Sequence, residues 1–206
     1  MDLLHVSESA AQQNKNVLII GAPRSGTHAL GSLFANERKF INLGEICVND
    51  GYTDPLVDIQ RMYQHTRPVI AHIVQLSAKI ALSADLASIK QHTIIVNLKR
   101  RNKVRQFASW MYFHNTGGVN GKWHNHIESD TSLMPGSITV TKEDIDLFVT
   151  EQLTDDFFCA DHVFYYEDLN FDKASFKKNQ YRFNIEQVFS NLDYVEQRLG
   201  NWKYYE

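Results

Sequence analysis

Gly21-Ala22-Pro23-Arg24-Ser25-Gly26-Thr27 joins the apolar run Asn16-Val17-Leu18-Ile19-Ile20 to the helically spaced Ala29, Leu30, Leu33 and Phe34. Such a turn gathers backbone N–H groups and the positive end of a helix dipole at one point, an arrangement suited to an anionic phosphate. Arg24, inside the turn, offers a forked cation to phosphate oxygens. A second basic feature is Lys99-Arg100-Arg101-Asn102-Lys103-Val104-Arg105, with five cations in seven residues. Cations are disfavoured at a helix N-terminus, so an anion is expected to compensate them there. Glu45, in Leu43-Gly44-Glu45, and His72, closing Val69-Ile70-Ala71-His72, are candidate proton acceptors. His114, His124 and His126 accompany Lys122 and Trp123 in a histidine-rich stretch. His124-x-His126 finds no third ligand at a recognisable metal spacing, so no metal is assigned and the stretch reads as a substrate-facing lid.

These residues need a scaffold that collects them. The run at 16–20 has the β-branched and leucine composition of a strand buried on both faces of a parallel sheet. Residues 1–15 read as a loose arm or a short covering helix. Asp54-Pro55 supplies an N-cap and a first helical residue for a helix to about His65, and Arg67-Pro68 breaks it before a strand over Val69–Val74. A helix near 79–90 leads to a strand over Thr93–Leu98, followed by a helix from Lys103 to about His114. The long polar stretch 115–140 carries no periodicity, and Thr141-Lys142-Glu143-Asp144 then opens a helix to about Phe158 like a capping box. A strand over His162–Tyr166 and a helix near 184–199 complete the order. Alternating strands and helices predict one α/β domain, 1–206, three-layered around a parallel sheet.

Gly21-x4-Gly26 matches the spacing of the nucleoside-triphosphate P-loop, but that motif requires lysine after its second glycine and here Thr27 and His28 follow. This argues against a magnesium-ATP enzyme. The run Pro23-Arg24-Ser25-Gly26-Thr27 resembles instead the donor loop of the sulfotransferases that use 3′-phosphoadenosine 5′-phosphosulfate (PAPS), written P-[KR]-[ST]-G-[ST]. Arg101-Asn102, with Ser109 eight residues after the arginine, resembles that family's 3′-phosphate signature. Tyr166-Glu167-Asp168-Leu169 is similar to its block after a late strand. The resemblance covers about residues 16–170.

The resemblance implies a compact PAPS-dependent transferase with a P-loop-type sheet, with PAPS as donor, 3′-phosphoadenosine 5′-phosphate (PAP) as product and no metal requirement. Arg24, Ser25, Gly26 and Thr27, with the adjoining His28, would hold the 5′-phosphosulfate. Arg101 and Ser109 would hold the 3′-phosphate, with Arg105 in reach of both, and Tyr166 would flank adenine. Glu45, 21 residues after Arg24, resembles the Gly-Glu base of tyrosylprotein and several bacterial sulfotransferases. His72 falls where the cytosolic small-molecule branch keeps its histidine base, although Ile70-Ala71-His72 departs from that branch's Lys-Thr-His. Glu45 ranks first, because a carboxylate near Arg24 and the loop dipole stays ionised. Arg24 would be the transition-state stabiliser. The C-terminal Arg-Lys-Gly clamp of the cytosolic branch is not matched in Leu199–Glu206, so Lys203 or a partner chain would substitute, or the clamp is simpler.

Composition narrows the classes further. The 206 residues are 43% hydrophobic and 22% charged, enough to bury a core and incompatible with intrinsic disorder. Lysine and arginine total 21 against 24 aspartate and glutamate, a net charge of −3 without the footprint of a nucleic-acid binder. No apolar stretch is long enough to span a membrane, and the first residues lack a signal-peptide pattern, so a cytoplasmic location is expected. Cys47 and Cys159 read as reduced thiols without chemistry. The acceptor stays open among small molecule, glycan, lipid and protein, as does homo-oligomerisation. The alternatives are a P-loop nucleotide kinase, disfavoured by the missing Gly-Lys-Ser/Thr, and a non-catalytic PAP-binding or interaction protein.

Overall fold

The computed structural model describes residues 3–36, 40–46, 54–115, 135–152, 160–169 and 185–200. Five strands, β1 (Asn16–Gly21), β2 (Ile41–Glu45), β3 (Val69–Val74), β4 (Thr93–Lys99) and β5 (His162–Tyr165), form one sheet in the order β2-β3-β1-β4-β5. Every pairing is parallel. Helices α1 (Leu3–Gln12), α2 (Thr27–Asn36), α3 (Pro55–Arg61) and α4 (Gln75–His92) flank it. The chain's contacts gather into two compact units, Met1–Lys99 with Thr154–Phe176, and Arg100–Leu153 with Lys177–Glu206.

In the first unit the alternation of side chains along β1 builds two apolar layers. Val17 and Ile19 pack with Val6 and Ala10 of α1 and Leu30 and Phe34 of α2. Leu18 and Ile20 face the other way, toward Ile59 of α3, Met62, and Ala78, Leu82 and Ile89 of α4. All six residues of β1 are buried, which is why the strand reads as a continuous apolar run. The crossover from β1 leftward to β2 runs through α2 on one face, while the rightward crossovers through α3 and α4 use the other. Right-handed connections demand this division. At their carboxyl ends the neighbours β1 and β3 therefore send the chain to opposite faces, and ligands of open α/β sheets bind in such a crevice.

Several local expectations are met in detail. Asp54 accepts a hydrogen bond from the Leu56 N–H at 2.9 Å with Pro55 opening α3. The N-terminal segment forms α1 and covers the sheet through Val6 and Ala10. Other elements differ. Residues 41–45, to which the sequence pattern assigns no element, are the edge strand β2. The helix expected over 79–90 begins at Gln75 and is interrupted at Asp85, whose carboxylate accepts the Ser88 N–H at 3.1 Å and restarts the helix.

The second unit is built from α5 (Lys103–Asn115), α6 (Lys142–Gln152) and a C-terminal segment around a cluster centred on Phe107, Phe148 and Phe189. Thr141 and Asp144 cap α6 reciprocally, side chain to backbone in both directions, at 2.9 and 3.2 Å. The single helix expected over 184–199 is instead a 3-10 turn at Ile185–Val188, the short helix α7 (Leu192–Val195) and a π turn at Glu196–Gly200. Asn191 causes the break: its side-chain amide exchanges two hydrogen bonds with the Val140 backbone, at 2.9 and 2.8 Å. The C-terminal part of the helix expected to reach Phe158, most of the 115–140 stretch with His124 and His126, Lys203, and both cysteines lie outside the described residues.

Candidate active site at the carboxyl edge of the sheet

The turn after β1 is shaped by three residues. Ser25 N–H donates to the Ala22 carbonyl at 3.0 Å, Pro23 occupies the second position, and Arg24 the third with φ +64°. Proline followed by a positive φ is the type II pattern, in which the third position ordinarily falls to glycine. Placing arginine there holds an L-residue in a region that costs about 1–2 kcal/mol. Gly26 follows with φ +100°, and a Cβ added to it would fall within the Tyr166 ring. Tyr166, in the short 3-10 turn Tyr166–Asp168 after β5, is therefore seated directly on the loop backbone. Ser25 is 1% exposed, and its hydroxyl is buried without a hydrogen-bond partner among the described residues. Thr27 opens α2 and the Leu30 N–H donates to the Gly26 carbonyl at 3.1 Å.

His28, the second residue of α2, meets both candidate bases. Its Nε2 lies 3.3 Å from Glu45 Oε2 and 3.1 Å from His72 Nε2, and the last two atoms are 4.0 Å apart. The two imidazoles cross edge to face, with centroids 3.9 Å apart at 73°. Side-chain exposure rises from 2% at His72 through 18% at Glu45 to 37% at His28, so the cluster opens on the His28 side.

A register irregularity places Glu45 in this cluster. Asn42 pairs with Ile70 but Gly44 pairs with Ala71, so Leu43 is an extra residue and Glu45 is paired with His72. Without that bulge Glu45 would align with Ile73, whose side chain belongs to the layer facing α3 and α4. The bulge re-aims Glu45 to the α2 face, where His72 and His28 stand. Gly44 adopts φ +73° and donates its N–H to Asn42 Oδ1 at 2.9 Å, the local device that turns the strand. Gly31, one turn after His28 on the same face of α2, would carry a Cβ within 3.8 Å of His72 Nδ1.

Arg24, Ser25, Gly26, Thr27, His28, Glu45, His72 and Tyr166 all belong to the first unit, whereas Arg101 and Ser109 belong to the second. Arg101 is exposed and Ser109 is buried in α5. Within the basic run, Asn102 caps α5 by accepting the Arg105 N–H at 2.8 Å, and the buried Lys103 donates to Gln106 at 2.8 Å. Part of that run thus serves the helix itself. The sequence assigns His28 to the 5′-phosphosulfate beside the turn and does not show that it unites the two candidate bases. The one available signal was its i, i+3 spacing to Gly31, a small residue that lets α2 lie close to β2 and β3. No helix of the described residues is long and apolar enough to cross a membrane. The chain matches no protein-family model, no curated protein and no solved structure.

Proposed function

We propose that this chain transfers a sulfuryl group from PAPS to a hydroxyl or amine acceptor, on a P-loop sulfotransferase-like sheet. The observation that carries the reading is the convergence of Glu45 and His72 on His28, the residue directly after the phosphate-turn threonine. The proton acceptor on β2 and the proposed anion turn then meet at the first turn of α2, where a reacting group and its base need to come together. In the transfer, the acceptor oxygen or nitrogen forms a bond to sulfur as the sulfur–oxygen bond to the 5′-phosphate breaks. The acceptor proton passes to the Glu45 carboxylate, and PAP leaves with the bridging oxygen's electrons. Arg24 and the turn's backbone N–H groups offset the charge growing on that oxygen. His28 orients Glu45, and the buried His72 packs edge to face against the His28 ring.

Two further features support a bound donor. A buried hydroxyl without a partner costs about 1–3 kcal/mol, and a phosphate oxygen at the turn would accept from Ser25 after a rotation about χ1. The Tyr166 ring, held on Gly26, gives adenine a surface to lie against. Arg101 and Ser109 are assigned to the 3′-phosphate on the sequence resemblance alone. Calorimetric titration with PAP, against ADP and magnesium-ATP, tests the reading. The expected result is preference for PAP, with Arg101→Ala weakening it at least about tenfold, the loss of one charge-assisted contact. Preference for magnesium-ATP, or PAP binding indifferent to both Arg101→Ala and Arg24→Ala, overturns it.

A further inference from the structure

His28 Nε2, Glu45 Oε2 and His72 Nε2 direct three electron-pair donors at one another, with separations of 3.1, 3.3 and 4.0 Å. A proton on His28 Nε2 can lie along the line to the carboxylate or to the other imidazole, not along both. Moved to His72 Nε2, it leaves the His28 nitrogen and the Glu45 oxygen facing lone pair to lone pair. A cation among the three meets every donor at once. Ligands of a tetrahedral zinc ion, with bonds of about 2.0–2.1 Å, stand about 3.3 Å apart, and the observed separations bracket that value.

We infer that His28, Glu45 and His72 form a three-ligand site for a zinc-class divalent cation. Two imidazoles and one carboxylate suit zinc and its first-row neighbours, whereas magnesium and calcium take oxygen shells. The ligands ride on α2, the bulged end of β2 and the interior of β3, so rigid elements hold them before any ion arrives. Three protein ligands leave a tetrahedral ion one position for water or a substrate oxygen. This inference goes beyond sulfuryl transfer and does not rest on it. Ion and proton compete for the same lone pairs, and ion binding needs no nucleotide.

The test titrates chelator-stripped protein with Zn2+ against a chromophoric chelator, and with Co2+ followed by visible absorption. One ion per chain is expected, with the intense bands of tetrahedral cobalt, bleached when zinc displaces it. His28→Ala and Glu45→Gln should each weaken zinc binding by more than about 100-fold, the upper loss seen even for residues that only support a ligand. The exposed His92→Ala control should leave it unchanged. Circular dichroism of the His28 and Glu45 variants verifies that both are folded; the isosteric Glu45→Gln serves if His28→Ala is not. Absence of stoichiometric binding, octahedral cobalt spectra, or binding that survives the substitutions overturns the site. A parallel PAP titration of the metal-free protein reports on the transfer reading separately.

Discussion

The turn after β1 and the bulge in β2 both bring a candidate functional side chain to the carboxyl edge of the sheet through a glycine at positive φ, Gly26 at +100° and Gly44 at +73°. Their surroundings are opposite. A Cβ at Gly26 would collide with the Tyr166 ring, whereas a Cβ at Gly44 would meet nothing within 4 Å. In the turn, packing and backbone conformation both demand glycine. In the bulge only the conformation does, and it is reinforced by the Asn42 side chain accepting the Gly44 N–H. The turn after β1 is thus held rigid by its neighbours, while the aim of Glu45 depends on strand register and one local hydrogen bond.

The two glycines separate these cases experimentally. Gly26→Ala should destabilise the fold by about 3 kcal/mol, because an unfavourable φ and an overpacked contact each contribute. Urea unfolding measures the loss, and combining Gly26→Ala with Tyr166→Ala should recover at least about 1 kcal/mol of it as a coupling between touching residues. Strict additivity would mean that the ring does not sit on the loop. Gly44→Ala should cost less, about 1 kcal/mol, from backbone strain alone. Its sharper readout is the cluster: a strand that relaxes the bulge carries Glu45 away from His28, and zinc affinity should fall while the midpoint of unfolding moves less than for Gly26→Ala.

The same contrast explains what could be read from the sequence. β1, β3 and β4 are buried apolar runs, and Val17–Ile20 with Gly21–Thr27 announces strand, turn and helix within a dozen residues. β2 announces nothing. Its five residues include Asn42 and Gly44, both poor strand formers, because the bulge that aims Glu45 requires them. The cluster was equally hidden, since ligand spacings signal a metal only when the ligands share one helix or loop. His28, Glu45 and His72 come from three elements, and only the pairing of β2 with β3 and the packing of α2 unite them. His124-x-His126 drew attention by proximity alone. The broken C-terminal helix was missed because its periodicity is helical while Asn191, a strong backbone binder, engages Val140 across 51 residues.

Arg24 gives the smallest expected change in stability and the clearest statement of what the turn is for. At φ +64° in the third position of a proline-initiated turn, arginine is held where glycine would rest without strain. Arg24→Gly removes that strain, about 1–2 kcal/mol, but adds backbone freedom to the unfolded chain worth about 0.5–1 kcal/mol. The variant should therefore be as stable as the parent or more so by about 0.5 kcal/mol, measured as an unchanged or raised unfolding midpoint in urea. A residue retained for folding would show the reverse. The same variant should lose PAP binding in the calorimeter, since the guanidinium is the turn's own cation. Stability kept together with binding lost would identify strain stored for ligand recognition. Stability lost by more than about 1 kcal/mol would mean that Arg24 serves the fold through its side-chain contacts, and that the proposed donor would have to be held at the turn by backbone N–H groups alone.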